Sequence, residues 1–283
     1  MIPKIIHYCW FGGAPLNDLA KKCIASWKKN CPDYEIKEWN ESNFDIASNP
    51  YVKEAYMAKK WAFVSDYVRL YVLYEYGGIY LDTDAELLKN IDTFLEQPAF
   101  SGFESEHAIP TAIMGSEKGG EWMEYLLSYY QNRHFILPDG RYDLKTNVIT
   151  ITDMTRSRYG IRLDNTYQKI DGILSLYPKD YFCPKSYETE EIKITENTCC
   201  IHHFSASWFN EQQKRLHIKR MYFINKYGIE QGSKKFSKWV HKRRYYIFMR
   251  QNGIRVTIKR AVTKILYNNN LLSFIKRKKE KSR

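Results

Sequence analysis

The stretch from Ala62 to Asp84, AFVSDYVRLYVLYEYGGIYLDTD, constrains this chain more than any other, because it joins a largely apolar helical pattern to a β-prone run ending in two carboxylates. From about Val52 to Tyr76, residues Ala55, Ala58, Ala62, Ser65, Asp66, Arg69, Leu73 and Tyr76 recur at three- and four-residue spacing, which places them on one helical face. Asp66 and Arg69 therefore point the same way. Val64, Val68, Tyr71 and Val72 fill much of the remaining circumference, so burial of this helix is expected. Gly77-Gly78 offers the positive-φ stop that a helix end favours, and Ile79-Tyr80-Leu81 runs as a strand into Asp82-Thr83-Asp84. The acids stand at the carboxyl end of a strand, where open α/β sheets bind ligands.

In a continuing strand Asp82 and Asp84 project to one face, and like-charge repulsion makes that arrangement costly. A divalent cation removes the cost: Mg²⁺ and Mn²⁺ take carboxylate oxygens and share their remaining positions with water and substrate phosphates. A bare Asp-x-Asp is ordinarily a surface turn. The composite of Asp-x-x-Arg on a buried helix, Gly-Gly, an apolar strand and Asp-x-Asp is far rarer than the tripeptide.

The segment SDYVRLYVLYEYGGIYLDTD resembles the DxD signature region of glycosyltransferase family 32, which includes fungal initiating mannosyltransferases and bacterial capsule and surface-polysaccharide transferases and is similar to the catalytic domains of glucosylating toxins. IPKIIHYCWFGG resembles the family's first strand and loop, and HHFSASW its closing motif, so the likeness extends over about Ile2 to Trp208. This implies a GT-A-type fold and a nucleotide-sugar donor, a UDP-sugar with a GDP-sugar as the alternative. Carried over residue by residue, Trp10 stacks on the base, with Gly12 and Gly13 in the nucleotide loop. Asp66 and Arg69 hold donor-sugar hydroxyls, Asp82 contacts ribose or a metal-bound water, and Asp84 ligates Mn²⁺ or Mg²⁺. His203 is a further metal ligand with His202 as its substitute, and Trp208 meets the donor phosphate through its indole N–H. Retention of anomeric configuration is also implied.

Taken alone, Trp10 reads as core after the apolar run Ile5 to Cys9, but the glycines behind it let a backbone approach a ligand closely. His7 alternates inward with Ile5 and Cys9 and reads as a satisfied core residue.

Charge divides the chain near Gln213. Residues 1–213 carry 22 Lys and Arg against 30 Asp and Glu, whereas residues 214–283 carry 22 against only Glu230 and Glu280. The expected organisation is a catalytic domain over 1–213 and a basic helical extension over 214–283. Apolar residues such as Trp239, Ile247, Phe248 and Ile258 interleave with the tail's cations, predicting two or three amphipathic helices broken near Gly253 and Asn268-Asn269-Asn270. No run reaches transmembrane length. Basic amphipathic helices lie on anionic membrane surfaces, which predicts a peripheral attachment on the inner face of the plasma membrane beside a lipid-linked acceptor. The tail packing on the acidic body is the alternative. Nucleic acid is not expected as a partner, since no recognition motif accompanies the charge.

Six cysteines without a C-x-x-C pair, and no cleavable apolar leader after Met1, suggest reduced core thiols in a cytosolic protein rather than a zinc site. Alternating β and α patterns predict a mainly parallel sheet flanked by helices. Strands are expected at 4–10, 34–39, 79–82, 99–103 and 112–114 and helices at 16–30 and 120–132, with a loop-rich acceptor side over 138–187 in which Thr146 to Thr150 could touch the acceptor. The expected reaction is transfer of a hexose from a nucleoside-diphosphate sugar to a glycan or lipid-linked saccharide, in bacterial capsule or surface-glycan synthesis. Two alternatives remain at this level: a two-metal phosphodiesterase or nuclease built on Asp66, Asp82 and Asp84, and a non-enzymatic membrane-surface adaptor.

Overall fold

A computed structural model describes residues 1–187, 189–205 and 211–252. The chain divides between Asn210 and Glu211, three residues before the change in charge density.

In the first unit, β1 (Ile5–Cys9), β2 (Glu35–Trp39) and β3 (Gly78–Leu81) run parallel in the spatial order β2-β1-β3, with α1 (Asp18–Asn30) linking the first two. The single helix expected from Val52 to Tyr76 is two: α2 (Pro50–Met57) and α3 (Trp61–Tyr76). Lys59, at φ 55°, breaks the run, and the Lys60 amide turns back onto the Ala55 carbonyl at 2.9 Å. β4 (Ala85–Leu87) leaves the main sheet. β5 (Ala99–Gly102), β6 (Ile113–Ser116), β7 (Gln168–Ile170) and β8 (Leu174–Tyr177) complete it in the order β2-β1-β3-β6-β5-β8-β7. The pairings make β6 and β7 antiparallel to the other five, so most strands share one direction. β9 (Cys200–His202) pairs with β4 in a separate two-stranded ribbon.

The chain steps from β1 to β2 on one side and returns to β3 on the other, so a topological switch point lies at β1/β3, with a crevice at the strands' carboxyl ends.

β3 is buried on both faces, as its unbroken apolar sequence requires. Ile79 and Leu81 join one core with Ile6, Tyr8 and the α1 residues Cys23 and Trp27, while Tyr80 joins the opposite core with Val64, Val68 and Leu73 of α3. α1 is capped by Asn17, whose Oδ1 accepts the Ala20 amide at 2.8 Å, and ends in Lys28 and Lys29, which suit its negative terminus. Gly115 of β6 faces Phe100 so closely that a Cβ there would lie 2.1 Å from the ring.

The region expected to be loop-rich contains α4's successor helix: α4 (Glu121–Ser128) is followed by α5 (Asn147–Tyr159), then the β7–β8 hairpin and the short α6 (Lys179–Phe182). α5 ends at Gly160 in the left-handed conformation.

The second unit is a helical hairpin of α7 (Glu211–Tyr227) and α8 (Ile229–Asn252), joined at Gly228 with φ 75°. The break predicted near Gly253, like the one at Asn268 to Asn270, falls outside the described residues. Gly232 lets α8 approach α7, since a Cβ there would meet the Phe223 carbonyl at 2.5 Å. Phe223 sits 6.3 Å from Phe236 and 6.5 Å from Trp239. Among the described residues no helix is long and apolar enough to cross a membrane.

His7 is fully buried: its Nε2 donates to the Gly77 carbonyl at 2.8 Å, while Nδ1 accepts the Trp39 indole N–H at 3.0 Å. That pair fixes a neutral tautomer, and burial lowers its pKa to about 4. Because the unfolded chain binds a proton near the ordinary 6.5, this contribution is intact above that pH and is lost as pH falls toward 4. Urea unfolding should show roughly 3 kcal/mol of stability lost over this window on account of His7. A His7→Gln variant, whatever its baseline, should show a flatter pH dependence; an unchanged slope would refute the assignment.

Candidate active site

Two segments expected to converge do so at the switch point. α3 packs beneath β1 and β3, which sets Asp66 and Arg69 against the carboxyl end of β3. Arg69 is only 4% exposed and uses every nitrogen. Its Nη2 lies 3.2 Å from Asp66 and 3.3 Å from Asp82, Nη1 donates to the Thr111 carbonyl at 2.6 Å, and Nε donates to the Ser65 carbonyl at 3.3 Å. The guanidinium also lies 4.7 Å from the centre of the Tyr80 ring, whose hydroxyl donates to Asp82 at 3.0 Å. Burial lifts the Asp66 carboxyl to about 6; Arg69 opposes the rise and Asp82 adds to it.

Asp82 and Asp84 do not lie in a continuing strand. The Ala85 amide returns to the Asp82 carbonyl at 2.9 Å, closing a turn that sends the chain into β4. The two acids still converge, because the turn and the β4–β9 pairing bring a histidine beside them. One ligand atom from each of Asp82, Asp84 and His202 lies within 4.8 Å of the others, the sole such cluster of His, Cys, Asp and Glu among the described residues.

His202 rather than His203 occupies this place. In the ribbon, Ala85 pairs with His202, which puts the His202 Nε2 3.4 Å from Asp84. The next side chain turns elsewhere: His203 Nε2 meets Glu86 at 2.7 Å, and Lys22 reaches the same carboxylate oxygen at 2.7 Å. His203 serves the site through its backbone, its amide donating to the Asp84 carbonyl at 2.9 Å. Burial opposes charge on His202, yet Asp84 holds its pKa above the usual imidazole range. Asp84, despite a burial cost of its own, is held below the carboxylate range by His202 and by the Ser205 amide, which donates to it at 2.8 Å.

The cluster fits a divalent cation. His202 Nδ1 is buried with no hydrogen-bond partner, a cost that ligation or a ligand's proton would remove. The two carboxylates suit Mn²⁺ or Mg²⁺, and the imidazole favours Mn²⁺ of the two.

Trp10 follows β1, its amide donating to the Trp39 carbonyl at 2.9 Å and its indole N–H to the Ala14 carbonyl at 2.5 Å. The Trp10 side chain packs against the core that holds Ile6, Tyr8 and Leu81, at the carboxyl end of β1 beside β3. Gly12 and Gly13 adopt positive φ, 95° and 67°. Trp208 lies outside the described residues.

Several site residues were not foreseen. The Thr111 carbonyl and the Ser205 amide depend on loops whose approach no periodicity encodes, and Tyr80 was read only as part of the strand. Glu104, just past β5, has its carboxyl pushed up by burial while His202 pulls it down. Asn147, inside the stretch expected to touch the acceptor, donates from Nδ2 to the Asp66 carbonyl at 3.2 Å.

These groups stand at the switch point of a mixed, mostly parallel sheet flanked by helices, a GT-A-like α/β fold. Residues 17–101 match the family described as glycosyltransferase sugar-binding region containing DXD motif. The chain thus carries the DXD glycosyltransferase region of the family-32 type that its sequence resembles. It is 33% identical over 126 residues to inositol phosphoceramide mannosyltransferase 3 of Schizosaccharomyces pombe, covering 42% of this chain and 34% of that protein. With inositol phosphoceramide mannosyltransferase 2 of the same yeast it shares 27% identity over 203 residues, 67% of this chain and 56% of that protein. The matches therefore span between a third and somewhat over half of these relatives' length. The solved PaToxG glycosyltransferase overlays at a TM-score of 0.43 with 20% identity, covering 56% of this chain and 70% of that one.

Substituting Asp84→Asn or His202→Ala should weaken Mn²⁺ binding by about ten- to a hundredfold with folding retained, whereas His203→Ala should change it less than threefold, by analogy with the usual effects of altering ligands and their supports. Titration calorimetry on the full chain checks this. Equal losses in the two histidine variants would restore His203 to the ligand set.

Proposed function

We propose that this protein transfers a hexose from a nucleoside-diphosphate sugar to a hydroxyl of a glycan or lipid-linked saccharide, in the synthesis of a bacterial capsule or surface glycan. The observation that carries the reading is the convergence of Asp82, Asp84 and His202 beside the Asp66–Arg69 pair, at the switch point of a sheet carrying the DXD glycosyltransferase region. The lipid-linked acceptor is supported by relatives named for mannosylating inositol phosphoceramide, and the bacterial setting by the sequence resemblance.

Asp82, Asp84 and His202 would hold the cation, which when bound supplies Lewis-acid stabilisation of the departing diphosphate. Asp66, engaged by Arg69 and Asn147 and standing outside the cation cluster, would accept a donor-sugar hydroxyl. Arg69, buried and saturated with partners, acts by fixing Asp66 and Asp82 and by adding positive potential. Trp10 offers a ring face to the base. In the transfer the bond from the anomeric carbon to the diphosphate oxygen breaks, the acceptor oxygen bonds to that carbon, and the acceptor's proton passes to the departing diphosphate. Same-face displacement agrees with the retention implied by the resemblance.

The two-metal phosphodiesterase reading has less support, because Asp66 stands outside the cation cluster. Incubating the protein with UDP- and GDP-sugars plus Mn²⁺ should release nucleoside diphosphate, and Asp84→Asn should reduce the rate by at least a hundredfold, the scale of losing one strong electrostatic contact in a transition state. Phosphodiester cleavage without sugar transfer would favour the rejected reading.

We place the protein on the inner face of the plasma membrane through its basic extension. Lys219, Lys226, Lys235 and Arg243 of the α7–α8 hairpin lie over aromatic rings, and Ile218 and Tyr222 are exposed on α7. Each cation near an anionic surface contributes about 1 kcal/mol. Replacing Lys234, Lys235, Lys238 and Lys242 by Gln should therefore weaken binding to phosphatidylglycerol vesicles at least tenfold at low salt. Undiminished co-sedimentation would remove the hairpin from membrane attachment.

A further inference from the structure

We propose that the hairpin over residues 135–144 is a membrane-contact surface: its outward side chains Ile136, Tyr142 and Leu144 enter the hydrocarbon of an anionic bilayer leaflet and bring the Asp66 side of the site to an acceptor held in that leaflet. The proposal rests on the reading of a membrane-side, lipid-linked acceptor and deepens it.

The hairpin is short and rooted in the core. Ile136 and Tyr142 bridge in antiparallel register, the Leu137 amide donates to the Arg141 carbonyl at 2.7 Å, and the Asp143 amide donates to the Phe135 carbonyl at 2.8 Å. Gly140, at φ 79°, lets the chain turn. Phe135 is fully buried against Tyr51 and Phe63, and the Ile136 amide donates to Glu54 of α2 at 2.8 Å. Side chains along such a ribbon alternate between core and exterior, and a ribbon facing water places polar groups outside. Here the order is inverted. The inward positions include Asp143, only 9% exposed and accepting from Arg133 Nε at 3.0 Å, whereas Ile136, Tyr142 and Leu144 are exposed at 41%, 43% and 59%.

Charge and area point to what covers this face. Arg141 and Lys145 flank Tyr142 and Leu144 in the chain, and residues 131–158 carry five Lys and Arg against three Asp and Glu, inside a region, residues 1–213, that is acidic as a whole. Cations interleaved with outward aromatic and aliphatic side chains suit an anionic headgroup layer above hydrocarbon. The three apolar side chains expose on the order of 300 Å², well short of the ~800 Å² that each partner gives to a standard protein interface. A bilayer, by contrast, accepts side chains singly. The face also borders the site. Asn147, three residues after Leu144, donates to the Asp66 carbonyl at 3.2 Å, so Leu144 stands within about three Cα steps, roughly 11 Å, of a residue that supports Asp66. Ile149, half-exposed on the first turn of α5, adds a fourth apolar side chain on this border.

The test uses the full chain, vesicles of mixed phosphatidylglycerol and phosphatidylcholine, and a nitrobenzoxadiazole dye on one introduced thiol. The six native cysteines are buried, so Leu144→Cys supplies the reactive one. On vesicle binding the dye at residue 144 should brighten about twofold or more and shift to the blue. The same dye on Lys118→Cys, at an exposed position on the opposite edge of the sheet, should change by less than about a fifth. Ile136→Asp combined with Leu144→Asp should weaken vesicle binding at least about threefold with an unchanged circular dichroism spectrum, and Leu144→Phe should retain it. A silent dye at residue 144 on vesicle-bound protein, equal brightening at residue 118, or undiminished binding by the double variant overturns the proposal and leaves the membrane reading standing. Brightening that needs no vesicles and grows with protein concentration assigns the face to a second copy of the chain and overturns it likewise. Failure of the wild-type chain to bind the vesicles overturns the membrane reading, and this one with it.

Discussion

The buried guanidinium of Arg69 is the interaction on which the rest of the site depends. It holds two carboxylates from different elements, Asp66 of α3 and Asp82 after β3, and a carbonyl from the β5–β6 connection, Thr111. Three pieces of chain that approach from separate directions are pinned to one cation. A buried charge is costly alone, and stripping one partner from such a network typically destabilises by about 3–5 kcal/mol, so the arrangement is close to all-or-none. One guanidinium against two carboxylates also leaves a net negative charge, which the neighbouring Asp84 increases on its own side. The pocket is therefore rigid where it must be and electrostatically receptive to a divalent cation.

Much of this was legible because it is local. Asp66 and Arg69 share a face by helical arithmetic, Gly77 ends that helix, and the apolar tetrapeptide after it is a strand buried on both sides. Tertiary detail defeated local reasoning in three places. The DxD was read as continuing strand, whereas a tight turn closed by the Ala85 amide redirects it; nothing in Asp-Thr-Asp distinguishes the two before β9 arrives to pair with β4. The histidine beside Asp84 is decided by that same pairing register, since a shift of one residue exchanges the faces of His202 and His203. The α5 helix was missed because NVITITDMTRSRY is crowded with β-branched residues. Such residues favour strands only weakly, and burial of Thr150, Ile151 and Thr155 against the core overrides the preference.

The fold explains why a chain this apolar in its central strands can still house a polar site. β1 and β3 are buried over their length and release polar residues only past their last hydrogen-bonded positions, at Trp10 to Gly13 and at Asp82 to Asp84. Because the connections leave β1 in opposite directions, the loops that follow these strands lie at a topological switch point. Position in the sheet then separates the groups, with Asp82 and Asp84 past β3 and Trp10 past β1.

Within this economy the one buried side-chain atom without a partner among the described residues is informative. The interior otherwise satisfies its polar groups with care: His7 is bonded at both nitrogens, the Trp27 indole donates to the Ala85 carbonyl at 2.7 Å, and the Trp122 indole donates to Thr155 at 3.0 Å. A protein that pairs such groups so consistently does not leave His202 Nδ1 bare through poor packing, since an unpaired buried polar atom costs about 1–3 kcal/mol and a neighbouring hydroxyl or carbonyl would remove that cost. The exception falls beside Asp82 and Asp84, at the switch point, on a strand whose pairing serves to bring it there. Local rules of folding are broken most often where a ligand binds, and the other nitrogen of this imidazole, Nε2, faces Asp84 at 3.4 Å, in a cluster whose carboxylates and imidazole can hold a cation.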